Sequence, residues 1–130
     1  MLNKVMLLGH LGGDPEVRYT PGGTTVATFS LATSEKFTDK STGARREETQ
    51  WHRIVAWGKL ADLCKEYLHK GSRVYLEGKL VYRKWEDNSG VSRVTPEVRM
   101  AALTMLDNKP QNGKPQSSEA KQGQAEDVPF

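Results

Sequence analysis

The hydrophobic period changes sharply in the middle of this chain, and that change limits what the chain can become. From Gln50 to Trp57 the residues alternate, with Trp51, Arg53, Val55 and Trp57 on one face of a strand and His52, Ile54 and Ala56 on the other. Immediately afterwards Leu60, Leu63, Cys64, Tyr67 and Leu68 recur at i, i+3, i+4, i+7 and i+8, the stripe of an amphipathic helix. Lys70-Gly71 closes that helix.

The rest of the first 106 residues reads as strand or turn. Asn3 to Gly12 carries apolar residues on both parities (Val5 and Leu7, Met6 and Leu8) and ends in the breakers Gly12 to Pro15. Tyr19 to Gly23 is a turn, since Pro21, Gly22 and Gly23 supply turn dihedrals. Thr24 to Ser34 alternates Ala27, Phe29 and Leu31 against Thr28 and Ser30. Glu35 to Glu48 is polar and contains Gly43, which fits a long loop or the extended tip of a hairpin. Arg73 to Trp85 alternates again, with Val74, Leu76, Leu80 and Tyr82 on one side, and Glu86 to Gly90 is a hairpin loop. Val91 to Leu106 supplies the last strand, where Pro96 lacks a donor and points to an edge or irregular position. Five short strands without a βαβ rhythm predict an all-β fold: a five-stranded OB-fold barrel with one helix between the third and fourth strands. Such barrels bind oligonucleotides or oligosaccharides on one face.

Hydrophobic residues are only 36% of the chain, and the shortage is concentrated at the end. Between Asp107 and Phe130 the apolar residues are Ala120, Ala125, Val128 and Phe130, too few to offset ordering entropy. The expected organisation is a domain over 1–106, a disordered linker over 107–125 and a terminal motif over 126–130. The domain carries 16 Lys and Arg against 12 Asp and Glu, a net +4 that suits a polyanionic partner without requiring one. The single Cys64 excludes an intramolecular disulfide framework. The apolar run Val5 to Leu8 is too short for a signal-peptide core, and no stretch is long enough to cross a bilayer, so the expected location is cytoplasmic with no membrane partner.

The chemistry lies in aromatic residues set among cations. Phe37 accompanies Lys36, Lys40, Arg45 and Arg46; Trp51 and Trp57 flank Arg53; Trp85 follows Arg83 and Lys84. Single-stranded nucleic acid offers flat bases and a chain of phosphates, which aromatic faces and cations match with little regard to base identity. Arg53 would be expensive to bury between two tryptophans, and Trp85 sits beside a turn, so these indoles read as a binding surface. Phe37 could equally cap the barrel end. Tyr19 and Tyr82 read as packing residues, and Val81 interrupts the basic stripe. The phosphate candidates are Arg45, Arg46, Arg53, Lys59, Arg83 and Lys84. His10, His52, His69 and Cys64 show no zinc spacing. Gly9, Gly12 and Gly13 lack the Lys-Ser/Thr of a P-loop. No cofactor, metal or catalytic residue is expected.

The strings NKVMLLGHLGGDPEVRYTPGG, VATFSLATSEKFTDKSTG, QWHRIVAWGKLADLCKEYLHKGSRVYLEGKL and RKWEDNSG, in that order, resemble the bacterial single-stranded DNA-binding protein family across residues 3–106. The final DVPF is similar to that family's acidic tip. The resemblance implies a homotetramer of OB domains wrapped by single-stranded DNA in replication, recombination and repair, without catalysis, in the bacterial nucleoid. It places base stacking on Phe37, Trp51, Trp57 and Trp85. It also implies that Glu126, Asp127, Val128, Pro129 and Phe130 bind partner proteins; an apolar plug, a stiff Pro129 and a terminal carboxylate suit a basic-rimmed pocket. The sequence departs from the family in Phe37 and Trp57, where relatives often have Trp and Phe. It departs again in Val81, where a basic residue is common, and in a short linker with only two acids before the tip. An RNA-binding OB module of the cold-shock kind, or an adaptor whose barrel only oligomerises, are the competing readings.

Overall fold

The computed structural model describes residues 1–107. Six strands and one helix follow in the order β1 (Val5–Leu11), β2 (Glu16–Tyr19), β3 (Thr25–Thr38), β4 (Arg45–Trp57), α1 (Lys59–Tyr67), β5 (Arg73–Glu86) and β6 (Ser92–Met105). The sheet runs β1-β5-β6-β4-β3 and closes where β1 meets β3 at His10↔Ala32 and Leu11↔Leu31. The extra strand β2 pairs with β3 from Glu16↔Thr28 to Tyr19↔Thr25, along the edge that β1 leaves uncovered. β1 and β2 thus serve as two halves of one barrel strand, interrupted at Gly12 to Pro15. The five-stranded barrel is as expected, and α1 joins its third and fourth members.

Two positions bend the wall. A Cβ at Gly78 would strike the carbonyl oxygen of Arg99, and the β5–β6 register shifts between Glu77 and Gly78. The other is the seam between β4 and β6, a parallel contact of only two pairs, Ile54↔Val98 and Val55↔Arg99. Because these strands are parallel and adjacent, the β3–β4 and β5–β6 hairpins extend past the barrel from the same end, as two arms. Glu35 to Glu48, which offered two readings, is the tip of the first arm: β3 and β4 pair without interruption to Thr38↔Arg45.

The core is built from the inward parity of these strands. Leu31, Ile54, Val74 and Leu76 are fully buried, together with Cys64 from α1. Burial pushes the Cys64 thiol up to about 11, so it is a neutral packing group. The helix is rolled relative to the expected stripe. Ala61, Cys64 and Leu68 are buried, whereas Leu63 and Tyr67 are exposed, because a nine-residue helix seated on a barrel end covers only a narrow contact. It also stops before Lys70-Gly71: Leu68 is already extended, and Gly71 (φ 89°) belongs to the turn that Ser72 N–H closes onto the His69 carbonyl. Pro96 opposes Tyr82 on β5 and lies outside the two-pair seam with β4, an edge position as expected. Among the described residues no helix is long and apolar enough to cross a membrane.

Candidate nucleic-acid interface

Directly opposed residues in a ladder share a sheet face. On β3–β4, Trp51, Arg53, Val55 and Trp57 oppose Ala32, Ser30, Thr28 and Val26. On β5–β6, Lys79, Val81, Arg83 and Trp85 oppose Arg99, Glu97, Thr95 and Arg93. The pairing Val55↔Arg99 joins the two sets. One continuous outer face therefore carries Trp51, Trp57 and Trp85 with Lys79, Arg53, Arg83, Arg93 and Arg99. The indoles are not core: Trp51 is 62% exposed, Trp57 42% and Trp85 38%.

Each ring is held by a different device. Gly12 leaves room for Trp51, since a Cβ there would lie 2.5 Å from Trp51 Cζ3. Beside that ring a cleft of about 440 Å³, lined by Gly12, Glu16, Ser30, Trp51 and Arg53 among others, falls in the size range of small-ligand sites. The Arg99 guanidinium lies 5.4 Å from the Trp57 ring centroid, a cation–π contact. The Trp85 indole Nε1 donates to Thr95 Oγ1 at 2.7 Å.

The phosphate candidates divide into three groups. Arg53 and Arg83 each donate Nε–H to the same oxygen, Glu97 Oε2, at 2.9 Å. Burial would raise the Glu97 carboxyl, but these two arginine bonds outweigh it and hold the group below its ordinary 4.5. Arg46 donates to Asp39 Oδ2 at 3.1 Å in the tip of the first arm. Arg45, Lys59 and Lys84 are exposed and make no ion pair among the described residues. Arg45 has the parity of Trp51 and Lys59 opens α1 two residues after Trp57.

Register separates the remaining candidates from this face. Phe37 opposes Arg46 on the parity of Phe29 and Leu31, and Lys84 opposes Val94 on the parity of Leu80. Phe37, Arg46 and Lys84 thus sit on the reverse faces of the two arms. Phe37 is within β3, not a loop, and is 43% exposed, so it does not cap the barrel. Two packing assignments are also corrected. Tyr82 is 62% exposed, because β5 has left the barrel by that point. Tyr19 is 59% exposed, its phenol accepting from Lys65 Nζ at 2.8 Å. His52 is half-buried, its Nε2 2.8 Å from Thr33 Oγ1.

Sequence reasoning missed Glu97, Arg93 and Arg99. Their shared odd parity on β6, opposite Val98 and Met100, was the available signal. Glu126 to Phe130 and the linker lie outside the described residues. Among the described residues no group of three or more His, Cys, Asp or Glu is placed to hold a metal.

Comparison with known proteins bears on the family and the barrel. The model of the single-strand binding protein family matches residues 2–106. A Plasmodium falciparum SSB solved in complex with ssDNA superposes with a TM-score of 0.74 at 40% identity, covering 82% of this chain and 96% of that one. A deletion mutant of the single-stranded DNA binding protein from Thermus aquaticus gives a TM-score of 0.70 at 36% identity, covering 83% of this chain and 52% of that one. With a matched barrel and a family model spanning nearly all of the described residues, the chain belongs to the single-strand binding protein family.

Proposed function

We propose that this protein binds and protects single-stranded DNA, without catalysis and with little sequence preference, in replication, recombination and repair. The observation that carries the reading is the common outer face on which three exposed indoles alternate with guanidinium groups. Bases stack on Trp51, Trp57 and Trp85, and phosphates meet Arg53, Arg83 and Arg45, with Lys59 beyond Trp57 and the newly found Arg93 and Arg99 added. Phe37, Arg46 and Lys84 take up a strand that passes around the arm edges to their reverse faces. Adding oligo-dT should quench tryptophan fluorescence, with affinity falling steeply as salt rises. An unchanged spectrum at low salt defeats the reading.

Two further roles belong to the same proposal. The Val5–Gly9 stretch of β1 pairs with β5 on one side only among the described residues, and Met6 and Leu8 are 62% and 49% exposed on its outer face. An open edge beside exposed apolar side chains favours self-association, in line with a homotetramer. A light-scattering mass of one chain rejects it. The tip Glu126 to Phe130 captures replication, recombination and repair proteins through its apolar end and clustered negative charge. Deleting Asp127–Phe130 should abolish capture and spare DNA binding.

A further inference from the structure

Glu97 is a buried anion on the proposed DNA face. Its side chain is only 7% exposed, and it is an anion where the ligand is a polyanion. A buried carboxylate costs desolvation and repels phosphate, so its presence there calls for a compensating role. The bonding supplies one. Glu97 lies on β6, between β4 and β5, and a single oxygen accepts Nε–H from Arg53 on one neighbour and Arg83 on the other. The residue directly opposite Glu97 on β5 is Val81, so Arg83 reaches Glu97 diagonally. Both arginine side chains remain 40% and 45% exposed, and their Nη atoms make no hydrogen bond among the described residues. Trp51 lies two residues before Arg53 and Trp85 two residues after Arg83, all on one face.

From this geometry we infer that Glu97 is a positioning residue: it fuses Arg53 and Arg83 into one preorganised phosphate-binding pair between the Trp51 and Trp85 stacking sites. With Nε committed to Glu97, each guanidinium has its swing restricted while its exposed edge stays open to a phosphate. Less freedom is then lost when a phosphate arrives. The inference rests on the single-stranded DNA reading and adds to it the group that orders its cations.

Two effects of Glu97→Gln oppose each other, which makes the test decisive. The substitution raises the charge of the face, so a site governed by charge alone binds oligo-dT more tightly and with a steeper salt dependence. A site governed by orientation binds more weakly, by roughly tenfold for one oriented charge-assisted contact. Its log–log salt slope becomes shallower by about 0.7, the value of one single-strand phosphate contact. The second outcome is expected. Glu97→Met should behave alike, since Arg53 and Arg83 are 40% and 45% exposed and are solvated once the carboxylate is gone, and it serves if the glutamine variant does not fold. In an Arg53→Gln, Arg83→Gln background, Glu97→Gln should cost no further affinity; a merely structural role for Glu97 would still cost it. Tighter binding with a steeper slope, or a loss that persists without the arginines, overturns the inference. A wild-type protein that leaves oligo-dT unbound defeats the DNA reading itself.

Discussion

The two arms are built alike at their tips and differently along their shafts. In the β3–β4 arm, the Asp39 carboxylate accepts from Ser41 N–H and from Arg46 across the hairpin. In the β5–β6 arm, Asp87 accepts from Ser89 and Val91 N–H and from Arg93 across the hairpin. Each tip is an aspartate that folds the turn and ties down one arginine; the Ser41 hydroxyl and then its N–H lead in holding Asp39 below its ordinary 3.8, and the Arg93 bond leads in holding Asp87 below it. The shafts diverge. The second arm keeps Trp85 on the proposed DNA face, its indole N–H bonded to Thr95, and roots that face in Glu97. The first arm turns its aromatic, Phe37, to the reverse side. Similar tips therefore do not make equivalent arms: beyond Trp51 the first arm brings cations but no ring to the binding face, whereas the second carries Trp85 there.

The largest test of that contrast compares rings on the two sides. Trp51→Ala and Trp85→Ala should each weaken oligo-dT binding by roughly 1–3 kcal/mol, as for a stacked base. Phe37→Ala should cost clearly less. Equal losses in titrations of all three would erase the distinction between front and reverse faces.

Gly12→Ala comes next. The added methyl displaces the Trp51 ring, and overpacking of this kind costs roughly 1–3 kcal/mol where the neighbour cannot yield. Because Trp51 is exposed and can swing, the expected loss of affinity lies at the lower end, with a shift in tryptophan emission before any DNA is added. Unaltered emission shows that the ring does not rest on Gly12.

Thr95→Val removes the acceptor for the Trp85 indole. A loss of about 0.5–1.5 kcal/mol in binding is expected, with fold stability nearly unchanged, as read by titration beside a thermal melt.

The smallest effect is a pH dependence at the root of the second arm. Glu97 has its folded pKa lowered below 4.5, so its bonds add stability above that value and lose it as pH falls through the folded pKa. The melting difference between wild type and Glu97→Gln should therefore shrink as the solution is acidified below 4.5. A difference that widens instead would place the carboxylate outside the arginine pair.

What was legible in the sequence follows from what each segment buries. Gln50 to Trp57 could be read residue by residue, because one face is core and the other is not: Ile54 and Ala56 are fully buried and Trp51 and Trp57 exposed. Glu35 to Glu48 has no buried face and so gave no period, and Phe37 could not be assigned a side. β2 escaped notice because Glu16–Tyr19 is four residues long and mostly polar. The helix stripe was misjudged because Leu63 and Tyr67 look like core partners until the barrel end limits what α1 can cover. Glu97 could not have been found from local pattern, since its meaning comes from Arg53, 44 positions away, and Arg83, 14 away.

The two-pair seam between β4 and β6 has a mechanical consequence. With the closure of β1 on β3 it is one of the two shortest joints in the cylinder, and the hairpins that carry Trp51 and Trp85 meet there. A joint held by so few ladder bonds yields before the long hairpins on either side do. Give at this joint would let the gap between the two rings adjust to the bound strand while each hairpin stays stiff. On the proposed reading, tolerance of base order would draw on the pliancy of that joint as well as on the indifference of the rings.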